Sequence, residues 1–248
     1  MGFRKLFAKE LRSVLPLAVV FAVAIVLLHF FVLYKSPVWD DDFIMVMSLF
    51  LPFLLTAVLA VGAGYYQLHI EWKTNSIYLL LALPIRGWKV MTAKLAAVLT
   101  MFVCSVLWIA ISFALILLRS KWDEVSAAED MTELVPAMLN LALHTFWMYA
   151  LAVLFLLAVV QFAFLCGQLV ARFKGVVVLA AFLGALWLVL RVTPLLSQLL
   201  GWMPDIFYGG ASDADAEFLH AGPFVVLFLI SIGFIWLSGY IFEKEVEV

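Results

Sequence analysis

Apolar positions run along this chain in stretches too long for a soluble core helix, separated by short charged intervals. A helix that crosses a bilayer needs about 20 mostly apolar residues. Five uncharged stretches meet that requirement: Val14 to Tyr34, Phe43 to Tyr66, Leu95 to Leu118, Leu141 to Ala171 and Ala221 to Phe242. A sixth, Gly175 to Leu190, is shorter and meets Arg191 and then Pro194. Apolar character resumes at Leu195 and continues to Met203, just before Pro204. The pattern predicts a broken segment over 175–200: a helix through most of the bilayer, then a short re-entrant piece at the outer surface. Irregular backbone at that depth must be shielded by protein or face a water-filled cavity. The alternative is one tilted helix followed by an ordinary loop.

Ahead of the first span, Phe3, Leu6, Phe7 and Leu11 recur at helical spacing, with Arg4, Lys5, Lys9 and Arg12 on the other face. This predicts an interfacial helix over residues 1–13, its cations near anionic headgroups. The first apolar run is not followed by a small-residue cleavage site, so the first span is expected to be retained. A sizeable polar insertion, Arg119 to Asn140, has room for a short amphipathic helix around Ala127 to Met138.

Lysine and arginine placement sets the expected orientation. With the N-terminus inside and six spans, 11 of these residues fall on inner segments and 4 on outer ones, namely Lys35, Arg119, Lys121 and Arg191. The outer loops are acidic instead, from Asp40 to Asp42 and again at Asp205, Asp213, Asp215 and Glu217. Six spans with both termini cytoplasmic is the consistent solution.

Composition agrees. The 248 residues are 67% hydrophobic and 13% charged, with a net charge of -2, and mean hydropathy is +1.15. These values, with the helical spans, point to an all-α integral membrane protein, read as a single transmembrane domain over 1–248. Cys104 and Cys166 both lie in apolar runs and form neither a disulfide framework nor a metal pair. The sequence has no H-E-x-x-H, no G-x-S-x-G and no phosphate-binding loop. His29, His69, His144 and His220 are scattered, and read as packing or interfacial residues. No acidic residue falls at mid-membrane depth, which argues against ion-coupled transport. Gln161 and Gln168 read as interhelical contacts. Six Trp residues fall near span ends, at headgroup depth, and Gly62 and Gly64 suit close helix approach. No catalytic residue, metal ligand, bound cofactor or nucleic-acid partner is expected.

The segment from Gln67 to Lys94 is different in kind. It carries Glu71, Lys73, Arg86, Lys89 and Lys94 around a short apolar core, Ile77 to Ile85. That core is too short to span a bilayer and too apolar for a free loop. Thr74, Asn75 or Ser76 can cap a helix starting near Ile77, and Pro84 ends or bends it. A short helix with one apolar face fits a groove on a partner, with Glu71 and Arg86 flanking it as candidate register charges. The alternative is a helix that rests only on lipid.

On these residues the chain resembles the membrane subunit of a type-2 ABC exporter. The matching features are an N-terminal amphipathic helix, six spans, and Glu71 after the second span. Leu83-Pro84-Ile85-Arg86, Lys94 opening the third span, and an element ending near Met203-Pro204 complete the match. Where the family often has Gly-Thr after the glutamate, Lys73-Thr74-Asn75-Ser76 stands here. The resemblance implies a coupling segment over 70–90, with Glu71, Asn75, Ile77, Leu80, Leu83, Pro84 and Arg86 at an ATPase interface. It implies an outer gate formed by Arg191, Pro194, Pro204 and Asp205, with Arg191 paired to Asp205 or meeting an anionic substrate group. It further implies ABC ATPase subunits that carry ATP and Mg, and a second identical or similar permease. The few polar residues in the spans suit an amphipathic, lipid-like or peptide substrate. The competing expectation is a non-transporting membrane subunit, an immunity or sensor protein that binds a partner through its acidic outer loops. A membrane enzyme with unrecognised residues is the third.

Overall fold

The computed structural model describes residues 2–77, 85–120, 131–170, 172–208 and 217–244. Its helices are α1 (Phe3–Lys35), α2 (Asp41–Met45), α3 (Leu51–Lys73), α4 (Gly87–Ser120), α5 (Met131–Gln168), α6 (Lys174–Leu199) and α7 (Gly222–Lys244). A π-helical turn, Val46–Phe50, joins α2 to α3 without interruption. Six helical segments are long and apolar enough to cross a membrane, with α2, the π turn and α3 counting as one. The chain is thus a multi-pass, almost wholly helical membrane protein.

Helix α5 forms the centre of the bundle. Helices α3, α6 and α7 pack against it, while α1 packs mainly on α4. Three apolar clusters run along this axis. One, near the chain's two ends, joins Leu6, Leu68, Met91, Phe164 and Phe242. A second joins Val14, Ala60, Phe102 and Leu157, and a third sits where Phe155 and Val159 meet Ala185 and Val189. Of the two glycines read as close-approach positions, Gly64 is one: a Cβ there would lie 2.6 Å from Leu157 Cδ2, whereas Gly62 faces open space.

Several boundaries differ from the sequence reading. Residues 3–13 are not a separate helix, because α1 runs unbroken through Pro16. Leu6, Glu10 and Val14, four residues apart, form one buried stripe that continues to Ile25, His29 and Val32. That stripe seats the first turns of α1 on the bundle. The expected break at Arg191 and Pro194 is also absent: α6 continues to Leu199 with Pro194 inside it. Proline removes one helical hydrogen bond, and membrane helices tolerate that loss. After Pro204 the chain forms an antiparallel pair, β1 (Asp205–Tyr208) with β2 (Glu217–His220), in the register Asp205 to His220 and Phe207 to Phe218. The expected separate helix at 127–138 is overturned from Met131 onward, since those residues are the first turns of α5; residues 127–130 lie outside the described residues.

The π turn has a local cause. Pro52 stands two residues beyond it, in the first turn of α3, and a proline ring crowds the carbonyl four residues back while offering it no N–H. That carbonyl belongs to Ser48. A widened turn relieves the crowding, and His29 Nε2 of α1 donates to the Ser48 carbonyl at 2.9 Å. A carbonyl only accepts, so the contact fixes the proton on Nε2.

Candidate functional site

Four ionisable side chains meet at the end of the bundle where α3 gives way to the segment before α4. Lys94 Nζ lies 3.0 Å from Glu10 Oε2 and 2.7 Å from Glu71 Oε2. Lys9 Nζ lies 3.2 Å from Glu10 Oε1 and 3.2 Å from Glu71 Oε1. Each carboxylate therefore touches both ammonium groups, and each ammonium touches both carboxylates. The four charges close into a neutral ring spanning α1, α3 and α4.

Burial grades the ring. The Lys94, Glu10 and Glu71 side chains are 1%, 3% and 7% exposed, while Lys9 is 56% exposed and covers the ring from outside. Alternation of sign lets three buried charges persist together: desolvation of a lone ion costs several kcal/mol, and close opposite charges offset it. The Lys94–Glu71 contact is ionic and falls outside hydrogen-bond angles, whereas Lys94 donates a proper hydrogen bond to Glu10. Neighbouring polar groups extend the site one turn deeper. Gln67 Nε2 donates to the Glu10 carbonyl and to Ser13 Oγ, each at 3.3 Å, and Ser13 Oγ donates to the Glu10 carbonyl at 2.6 Å.

The local sequence accounts for the geometry. Glu10 belongs to the buried Leu6–Val14 stripe of α1, so its side chain points into the bundle. Gln67 and Glu71 are four residues apart and share one face of α3. Lys94 lies two turns into α4, buried beside Met91 and Leu95. Helix α3 then ends at Lys73, and Asn75 turns the chain with φ 56, a left-handed conformation that asparagine tolerates better than most residues. Thr74 Oγ1 closes the helix end by donating to the Ile70 carbonyl at 2.7 Å.

The far side of the segment is pinned as well. The Gly87 amide donates to Glu243 Oε2 at 3.1 Å. Here α4 crosses α7 so closely that a Cβ on Gly87 would lie 2.5 Å from the Gly239 carbonyl, and one on Gly239 would lie 2.5 Å from Trp88 Cα. Residues 70–73 belong to α3 and 87–90 to α4, so the element between the helices is 74–86.

The expected interface residues separate into three groups. Glu71 and Ile77 turn inward: Glu71 joins the charge ring, and Ile77 is buried with Leu6, Leu68, Val90 and Met91. Both were expected at the ATPase interface, and both are buried within the chain itself. Asn75 and Arg86 are exposed. Leu80, Leu83 and Pro84 lie outside the described residues, as does the helix expected over Ile77 to Pro84 beyond its first residue.

The residues expected at an outer gate run from α6 to the start of the strand pair. Arg191 does not pair with Asp205. Its guanidinium sits over the Trp187 ring at 5.9 Å, one helical turn away, and Asp205 Oδ1 instead meets His220 Nδ1 at 3.0 Å across the strand pair. Pro194 is exposed within α6, and Pro204 is exposed at the entry to β1. The amides read as interhelical contacts are that: Gln161 Nε2 donates to the Met91 carbonyl at 3.5 Å, and Gln168 Oε1 accepts from Lys174 at 3.2 Å.

Glu10 is the residue that sequence reasoning passed over. Its signal was present: it is the sole carboxylate before Asp40, and it shares the i, i+4 stripe of Leu6 and Val14. No protein-family model, curated protein or solved structure matches this chain.

Proposed function

We propose that this chain is the permease subunit of an ATP-driven exporter of the ABC type. It would sit in a bacterial cytoplasmic membrane with both termini inside, and pair with a second permease and with ATPase subunits that carry ATP and Mg. The observation that carries the reading is the pinning of segment 74–86. Its entry is tied by Glu71 to Lys94 and Lys9, and its exit by Gly87 to Glu243. A push on such an element moves α1, α3, α4 and α7 together, whereas a free loop would absorb it. Packed cores and buried ion pairs transmit displacement because they deform little.

In this reading Asn75 and Arg86, the exposed residues at the two ends of the segment, face the partner. Glu71 acts through Lys94 as a positioning residue that holds the segment in register with the bundle. The substrate class in keeping with the apolar spans is amphipathic, a lipid-like molecule or a peptide. The sequence has no phosphate-binding loop, so ATP turnover is assigned to the partner.

Mild-detergent purification from the native host, followed by mass spectrometry of the accompanying proteins, tests this. An ABC ATPase at near-equal amount supports the reading, and its consistent absence from intact, folded chain overturns it.

A further inference from the structure

Helices α3 and α6 both pack on α5, and between them lies a groove of about 300 Å³, open on one side. Its floor is Val160 and Ala163 of α5, both buried, and one wall is Tyr65 of α3. The other wall is the start of α6, where Val178, Leu179 and Phe182 line it and Gly175 leaves its mouth free of side chain. Sites for small organic ligands span about 300–1,000 Å³, so this groove takes one slender apolar group and not a whole lipid. From Gly175 to Phe182 it runs seven helical residues, about 10 Å, along α6.

Arg172 and Lys174, both exposed, immediately precede the Gly175 end of the groove, with Lys174 Nζ donating to Gln168 Oε1 at 3.2 Å, and the first turn of α6 holds no acidic residue. His69, one turn along α3, stacks on Tyr65 at 5.8 Å and 10° and carries no negative charge. An apolar slot with two exposed cations next to Gly175 in the chain complements a molecule with one alkyl chain and an anionic head.

We propose that this groove is a binding site for an anionic phospholipid of the surrounding membrane. One acyl chain lies between Tyr65 and Phe182, and the phosphate is held by Arg172 and Lys174. This site stands whether or not the chain works as a permease.

The test uses the full chain in phosphatidylcholine nanodiscs doped with phosphatidylglycerol that carries a mid-chain diazirine. Labelled residues are mapped by mass spectrometry, with zwitterionic diazirine lipid in a parallel arm. The anionic probe is expected to label Tyr65, Val178 and Phe182 above the exposed α1 residues Val20, Val23 and Leu27. Gly175 has open space around it, so Gly175→Leu fills the mouth without a clash and is expected to bring groove labelling down to the α1 level. Removing one rim charge, in Arg172→Gln or Lys174→Gln, is expected to lower anionic labelling about five-fold per charge. Equal labelling of groove and α1 by the anionic probe in the unaltered chain, or equal groove labelling by the zwitterionic probe, identifies ordinary boundary lipid and overturns the site. So does groove labelling that persists in Gly175→Leu. If that variant also loses α1 labelling, Leu179→Trp fills the slot from the exposed wall and is judged by the same criterion.

Discussion

Lys94 and Glu71, 23 residues apart in sequence, lie 2.7 Å apart across the junction of α3 and α4. Their contact closes the base of segment 74–86 and fixes the distance between its two supporting helices. With Glu10 below and Lys9 above, the pair belongs to a neutral ring, so loss of one charge unbalances the remaining three.

Lys94→Met is therefore expected to destabilise the bundle by about 3–5 kcal/mol, the usual result of leaving buried charge unpaired. Adding Glu71→Gln leaves Lys9 and Glu10 as a balanced pair, so the double variant should recover part of the loss. Unfolding measured by steric trapping or thermal aggregation in detergent checks this. A double variant worse than Lys94→Met alone would mean that the ring is not held by charge balance.

Lys9 makes the same number of ionic contacts as Lys94 but is 56% exposed. Water screens it, and Lys9→Gln is expected to cost no more than about 1 kcal/mol. Thermal midpoints compared at low and high salt measure the difference. Equal damage from the two lysine substitutions would contradict the burial gradient.

His29 supplies the donor that Pro52 denies to the Ser48 carbonyl. His29→Leu leaves that carbonyl unsatisfied, at about 1–3 kcal/mol. Pro52→Ala returns an N–H to the same helix, so His29→Leu with Pro52→Ala should be less damaging than His29→Leu alone. Equal stability of the single and double variants would show that the histidine contact is incidental.

Gly239→Ala places a methyl group 2.5 Å from Trp88 Cα, whereas Gly233 on the same helix has nothing within 4 Å. The first substitution forces α4 and α7 apart and should cost about 1–3 kcal/mol. Gly233→Ala should be neutral or slightly stabilising, because alanine favours helix. A matched pair of melting curves separates the two.

The six spans were legible because an uncharged run of span length has few other uses. Helix ends were less legible. Charged residues at 3–13, 67–73 and 87–94 read as boundaries, yet charge does not end a helix, and α1, α3 and α4 continue through them. Pro194 misled for a related reason, since α6 runs on past the lost hydrogen bond. The strand pair after Pro204 left little signal, because four-residue strands offer only two alternations each. In the site, Glu71 and Lys94 stood out as charges beside apolar runs, but their direction depended on Glu10. That residue looked like one more charge in a basic stretch until its stripe with Leu6 and Val14 was followed inward. Arg191 shows the opposite case: a charge next to an acidic loop suggested an ion pair, and the nearer ring of Trp187 took it.

The central claim is that the charge ring transmits force between segment 74–86 and the helices. ATP hydrolysis by the assembly co-purified with this chain, reconstituted in nanodiscs, tests it directly when unaltered chain is compared with Glu71→Gln. The account predicts an assembly that forms with either chain, and hydrolysis that responds to this chain only when Glu71 is intact. Identical hydrolysis with both chains, or an assembly that holds no ATPase, would contradict it.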